Sequence, residues 1–205
     1  MTPRGMFVVF EGGEGAGKST QVLRLSKRLR DEGRDVVVTR EPGGVPSAEA
    51  IRSLVLDPDH RDMDARAEAL LFAAARAEHV AQLIRPALDR GAIVLCDRFV
   101  DSSIAYQGVA RRLGVERIAA INDWATQGLK PDLTVVLDID PSVGLQRAGR
   151  VNAAPDRMES QSASFHQQVR QAFLARATAE PGAYLVLDAT GEPDAIASAI
   201  AKRLP

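Results

Sequence analysis

The sequence predicts an α/β fold, a five-stranded parallel sheet with helices on both faces. Three observations predict it. Short, almost wholly apolar runs alternate with longer stretches whose apolar residues recur at helical spacing. The short runs are apolar at consecutive positions, as strands covered on both faces require. A Gly-rich turn separates the first run from the first helical stretch.

The elements follow in order. Residues 6–10 (MFVVF) form a buried strand, and 18–32 form a helix with Val22, Leu23, Leu25 and Leu29 at helical spacing, stopped near Gly33. Residues 35–39 (DVVVT) are a second strand and 47–56 a short helix. A long helical pattern runs over 64–89 (Leu70, Leu71, Ala74, Val80, Leu83, Ile84, Leu88), with a break expected near Pro86. Residues 92–96 are the third strand. Helices are expected over 101–110 and 115–127, and a fourth strand over 133–137 (LTVVL). Pro141 sits in the first turn of a helix over 141–148, followed by a loop at 151–155. A helix over 160–179, a fifth strand over 184–187 and a helix over 193–203 complete the chain. No internal repeat, low-complexity tract or linker interrupts this pattern, so residues 1–205 read as one domain.

Composition excludes several function classes. The chain has 26 Lys+Arg against 27 Asp+Glu, a formal charge of −1, and 45% apolar residues. Disorder is not expected at that balance. Neither is binding to nucleic acid or a membrane surface by bulk positive charge. Of the 26 basic residues 22 are arginine. Most of that surplus is compositional, and a minority is available to grip phosphates. Cys96, the one cysteine, lies in an apolar run and reads as a buried thiol. No window is apolar enough to span a bilayer and the first residues lack a signal peptide's apolar stretch, so the expectation is a cytoplasmic protein. His60, His79 and His166 do not cluster, and one cysteine makes no zinc pattern. His79 reads as structural, and Trp124 as core or interface.

The chemistry begins after the first strand. Residues 12–20 (GGEGAGKST) match G-x-x-x-x-G-K-[ST] between an apolar strand and an amphipathic helix. Glycines let the backbone wrap a phosphate, and the amide N–H groups converge at a helix N-terminus. Lys18 can reach the β- and γ-phosphates and the Ser19 hydroxyl can bind Mg²⁺. The motif indicates nucleoside triphosphate binding and leaves the phosphoryl acceptor open. No N-K-x-D base-reading motif occurs, which argues against a GTPase, and the length suits a small kinase.

Four further segments narrow the choice: 39–44 (TREPGG), 70–79 (LLFAAARAEH), 97–108 (DRFVDSSIAYQG) and 156–159 (DRME). With the phosphate loop, and in this order, they resemble thymidylate kinase, of the bacterial type that draws arginines from a lid. The resemblance spans nearly the whole chain. It implies the P-loop nucleoside monophosphate kinase fold with a short lid near 147–158, transfer of the ATP γ-phosphoryl group to dTMP in dTTP biosynthesis, Mg²⁺, and a homodimer. The Ala/Leu faces of 64–85 and 115–127 are available for the dimer contact, or equally for the protein's own core.

By the same resemblance, Gly12, Gly13, Glu14, Gly15, Ala16, Gly17, Lys18, Ser19 and Thr20 bind ATP phosphates, joined by Arg147 and Arg157 from the lid. Arg98, at the carboxyl edge of the third strand, holds the acceptor phosphate. Arg52 is a second phosphate ligand, and Glu41, with Arg40, shapes the acceptor pocket. Phe72 and Arg76, four apart on one helix face, would stack on thymine and donate to a base carbonyl. Read alone, Phe72 is more readily ordinary core. Ser102, Ser103 and Gln107 complete the polar rim, Tyr106 crowds the sugar 2′ position, and Glu14 and Glu159 lie near the sugar 3′-hydroxyl or the metal. Ser19 and Asp97 are the Mg²⁺ candidates. Lys18, Arg98, Glu14 and Arg150 are expected to act in catalysis. The loop carries Gly15-Ala16 where relatives place a basic residue, so transition-state charge must be met from the lid, and Arg150 is favoured. Rival readings are another pyrimidine monophosphate kinase, acting on dUMP or CMP, and an ATP-binding switch without turnover. The chain departs from the family at Val45, where relatives often carry Thr, so a small polar contact is expected to be missing there.

Overall fold

A computed structural model describes residues 4–150 and 156–204. Five parallel strands form one sheet: β1 (Phe7–Glu11), β2 (Val36–Arg40), β3 (Ile93–Asp97), β4 (Leu133–Asp138) and β5 (Tyr184–Asp188), in the order β2-β3-β1-β4-β5. All five expected strands are present, each bound within a residue or so of its apolar run. Alternation sorts β1 between two cores. Val8 and Phe10 pack with Leu25 and Leu29 of α1 (Lys18–Asp31) and Ile196 and Ile200 of α9 (Pro193–Ala201). Phe7 and Val9 pack on the opposite face with Val80, Ile84 and Phe99. Beside them, Phe165, Val169 and Phe173 of α8 (Ala163–Ala179) cover β4 and Tyr106.

Two helical stretches differ from the sequence reading in an instructive way. The 64–89 stretch does not break at Pro86. It runs as α3 (Ala65–His79), a π-helical turn over Val80–Ile84 and α4 (Arg85–Asp89). The Arg85 N–H bonds back to the Val80 carbonyl, and this wider turn accommodates the proline ring. The 101–110 stretch is a single α turn, α5 (Val100–Ser103), that opens into a π-helix over Ile104–Ala110. Ahead of α3 come α2 (Pro46–Leu56) and a short 3₁₀ turn at Pro58–His60. Beyond them come α6 (Val115–Thr126) and α7 (Pro141–Gly149). Helix α8 starts at Ala163, not 160, because Ser162 caps it by accepting from the Phe165 N–H. The loop expected at 151–155 lies outside the described residues. Trp124 is 83% exposed, which removes it from the core. Among the described residues no helix is long and apolar enough to cross a membrane.

The strand order places the site. From β1 the chain crosses to β2, beyond β3, and from β3 it crosses back over β1 to β4. The crevice between the carboxyl ends of β1 and β3 is therefore the switch point where α/β sheets bind ligands.

Candidate active site

A cleft of about 830 Å³ opens at that crevice. It runs from the loop after β1 across the ends of β2 and β3 to the loop after β5. The phosphate loop enters α1 through Gly15 and Gly17, both with positive φ. At Gly15 only a hydrogen fits, because a Cβ would lie 2.0 Å from the Gly144 carbonyl oxygen of α7. At Gly144 a Cβ would lie 2.3 Å from the Glu14 carbonyl oxygen. This mutual contact seats α7, and with it Arg147, directly on the phosphate loop.

Lys18 is buried and folds back over the loop, donating to the Gly12 and Gly13 carbonyls at 3.1 and 2.8 Å. Burial, then Arg98, lowers its pKa. Beside it Arg98 holds a left-handed backbone (φ 71°), fixed by donation from its N–H to the Phe10 carbonyl. Such a conformation is uncommon for a side chain of this size and clusters at functional sites. It turns the guanidinium into the cleft, where it donates to Glu14 Oε1 (2.7 Å), the Gly12 carbonyl (3.1 Å) and Ser102 Oγ (3.3 Å), above the Tyr106 ring. Arg98 thus pairs with Glu14. Asp101, three residues along, is instead taken by Arg176 and the Tyr184 hydroxyl.

Charges in this cluster hold one another. Burial disfavours the Glu14 carboxylate, but Arg98, Lys18 and a hydrogen bond from the Tyr106 hydroxyl (2.9 Å) outweigh it and bring its pKa to about 2. Burial likewise opposes charge on Arg98, yet Glu14 and its neighbours raise its pKa well above the ordinary value. Glu11, at the end of β1, behaves oppositely. It is fully buried, and desolvation, with Asp101 nearby, pushes its pKa up to about 7. Its carboxyl accepts the Phe99 and Ser102 N–H groups at 2.9 and 3.1 Å and the Ser102 hydroxyl at 2.7 Å. It therefore anchors the turn that carries Arg98. Ser19 Oγ donates to Asp97 Oδ2 at 2.7 Å on the exposed floor of the cleft.

The far wall comes from α3. Phe72 and Arg76 both line the cleft from one face. Arg76 is buried and heavily engaged: Nε donates to Glu41 (2.6 Å), Nη1 to Ser103 Oγ and Asn122, and Nη2 to the Phe99 carbonyl. Four of its five N–H groups are thereby used among the described residues. Glu41 also binds His79 Nδ1 at 2.9 Å, and His79 Nε2 meets Thr39 Oγ1 at 2.7 Å, so His79 is a buried brace. Arg52 lines the cleft with one N–H on the Pro42 carbonyl, and burial lowers its pKa. Ser102, Ser103, Tyr106, Gln107, Glu159 and Arg147 also line it, Arg147 donating to the Ala189 carbonyl at 2.9 Å.

One expectation is corrected. Arg157 is not at the cleft: it is buried, with Nη1 on Glu68 at 2.7 Å and Nε on the Val55 carbonyl at 2.8 Å, so its charge is spent on the fold. Val45 packs against Ala48 and Ala75 at the N-cap of α2, where it makes no side-chain cap hydrogen bond. Arg150 stands exposed at the end of α7, outside the lining of the cleft. The sequence reading missed Glu11, Gly144, and the wall formed by residues 189–193 and Ile196. The last had a signal, since a loop following a strand at this edge of the sheet faces the ligand.

The thymidylate kinase family model matches residues 10–200. A thymidylate kinase of Pseudomonas putida (strain W619) is 52% identical over 200 residues, covering 98% of this chain and 96% of the relative. One from Deinococcus radiodurans is 50% identical over 197 residues, covering 96% and 95%. The crystal structure of thymidylate kinase from Ehrlichia chaffeensis superposes with a TM-score of 0.82 at 31% identity, covering 99% of this chain and all of that one.

Proposed function

The chain belongs to the thymidylate kinase family and so transfers the γ-phosphoryl group of ATP to dTMP, forming dTDP and ADP; we propose that the cleft between β1 and β3 performs this and that its two ends take the two nucleotides. One observation carries the assignment. Arg98, bonded to the phosphate loop through the Gly12 carbonyl and Glu14, lines one cleft with Phe72 and Arg76.

In this reading the loop from Gly12 to Thr20 wraps the ATP phosphates, and Lys18 exchanges its two carbonyl contacts for phosphate oxygens. Residues 189–193 and Arg147 border the base end of ATP. Arg98 and Arg52 hold the dTMP phosphate, Phe72 stacks on thymine, and the fifth N–H of Arg76 donates to a base carbonyl. Ser102, Ser103 and Gln107 rim the base, Tyr106 and Glu14 face the sugar, and Glu159 and Glu41 close the acceptor side. Since the acceptor oxygen is already nucleophilic, the protein contributes alignment and positive charge. Arg150, on the 147–158 lid, meets the moving phosphoryl group.

Ser19 and Asp97 present adjacent oxygens on the cleft floor, a donor set that suits Mg²⁺. When bound there, the ion would neutralise charge on the ATP phosphates. We also propose a homodimer through α3 and α6, which pack side by side and expose Leu70 (57%) and Trp124 (83%). A cytoplasmic setting, without nucleic-acid or membrane partners, suits the formal charge of −1 and the free, buried Cys96.

A coupled ADP-release assay over dTMP, dUMP and CMP tests the reading. The expected order puts dTMP first, and equal turnover of dUMP and dTMP contradicts it.

A further inference from the structure

Glu68 is fully buried on α3 and lies on the same face as Phe72 and Arg76, at positions 68, 72 and 76. It does not line the cleft. Oε1 accepts the Gln107 side-chain Nε2 at 2.8 Å. Oε2 is ion-paired with Arg111 at 3.2 Å and Arg157 at 2.7 Å. Gln107 is itself 2% exposed and lines the cleft. Its amide therefore has one end tied to Glu68, and its carbonyl oxygen makes no hydrogen bond among the described residues.

A carboxylate only accepts, so it can bind only the NH₂ end of a glutamine. Two arginines fix that carboxylate in place. The amide cannot turn over, because that would set its carbonyl oxygen against the Glu68 carboxylate. The cleft is thus offered one acceptor, the Gln107 carbonyl, beside one donor, the remaining N–H of Arg76. Thymine and uracil carry a donor N3–H next to an acceptor O4. Cytosine carries the reverse, an acceptor N3 next to a donor amine.

We propose that Glu68 is the positioning residue that sets base selection: it holds the Gln107 amide with its oxygen toward the cleft, so the site takes pyrimidines with an N3–H and turns away those whose N3 is an acceptor. The inference rests on the assignment of this wall to the acceptor base.

The test is steady-state kinetics of the full chain with dTMP, dUMP and dCMP, for wild type, Glu68→Gln, Gln107→Leu and the double variant. Glutamine at 68 can accept or donate, which frees the Gln107 amide to turn. Glu68→Gln should lower the dTMP/dCMP ratio of kcat/KM about tenfold, the scale of one hydrogen bond, through KM more than kcat. The dTMP/dUMP ratio should stay within about twofold, since both bases carry the N3–H. In the Gln107→Leu background, Glu68→Gln should change the dTMP/dCMP ratio no further. An unchanged dTMP/dCMP ratio, or an equal loss on all three acceptors, overturns the proposal. If Glu68→Gln fails to fold for want of a charge partner for Arg111 and Arg157, Glu68→Asp decides, because it keeps a negative charge for both arginines and draws the carboxylate back from the Gln107 amide. The same tenfold drop then supports the proposal and an unchanged ratio refutes it. A wild type inactive on dTMP overturns the functional reading too; a wild type active on dTMP with unmoved ratios overturns this inference alone.

Discussion

Glu11→Gln should stabilise the protein above neutral pH, and by an amount the structure sets. The Glu11 carboxyl has no exposure, and desolvation, with the neighbouring Asp101, raises its pKa from 4.5 to about 7. A group whose folded pKa lies above its unfolded value binds more protons folded than unfolded between those two values. Stability therefore falls as pH rises from 4.5 towards 7 and levels off above. The loss is roughly 3 kcal/mol. Glutamine keeps an oxygen for the Phe99 and Ser102 N–H groups, and its amide can donate to the Ser102 hydroxyl in place of accepting from it. For a chain of this size, roughly 3 kcal/mol is a shift of about 6–12 °C in Tm. Thermal unfolding of both proteins at pH 8 and pH 5 is the assay. At pH 8 the variant should melt higher by that margin, and at pH 5 most of the gap should close. A gap of equal size at both pH values, or a variant less stable at pH 8, refutes the reasoning.

Three further outcomes are expected. Phe173→Ala, deleting a ring 1% exposed between α8 and Tyr106, should cost about 3–5 kcal/mol in denaturant unfolding; a cost under about 1 kcal/mol would mean the ring is not core. Arg98→Lys keeps the charge but loses the fork that spans Glu14 and the Gly12 carbonyl, so kcat/KM for dTMP should fall about 10²-fold, and a change within about threefold would contradict it. Arg150→Ala should lower kcat about 10²–10³-fold while ATP affinity, measured by calorimetry, stays within about threefold; an unchanged kcat would shift the role to Arg147.

The fold was legible where residue chemistry is local. Apolar runs located all five strands, and the G-x-x-x-x-G-K-[ST] motif located the loop, because strand burial and glycine geometry act over a few residues. The π-turns at Val80–Ile84 and Ile104–Ala110 were not legible, since they share the helical apolar period and differ only in hydrogen-bond span. Residues in quoted motifs that line the cleft, such as Arg98, Phe72 and Tyr106, could be named in advance. What the chain brings together from afar could not. Arg157 looks like a lid arginine in sequence, and only the fold sets it against Glu68. The Gly15–Gly144 approach depends on α7 crossing the phosphate loop, and Glu11 acquires its raised pKa only once the core closes over it.

The most direct measurement of the central claim follows the phosphoryl group itself. The protein is mixed with dTMP and ATP labelled at the γ-phosphorus, and the products are separated. The account predicts label in dTDP in amounts equal to the ADP formed, with little in inorganic phosphate. Label released as phosphate without dTDP, or ATP bound and left intact, would contradict it.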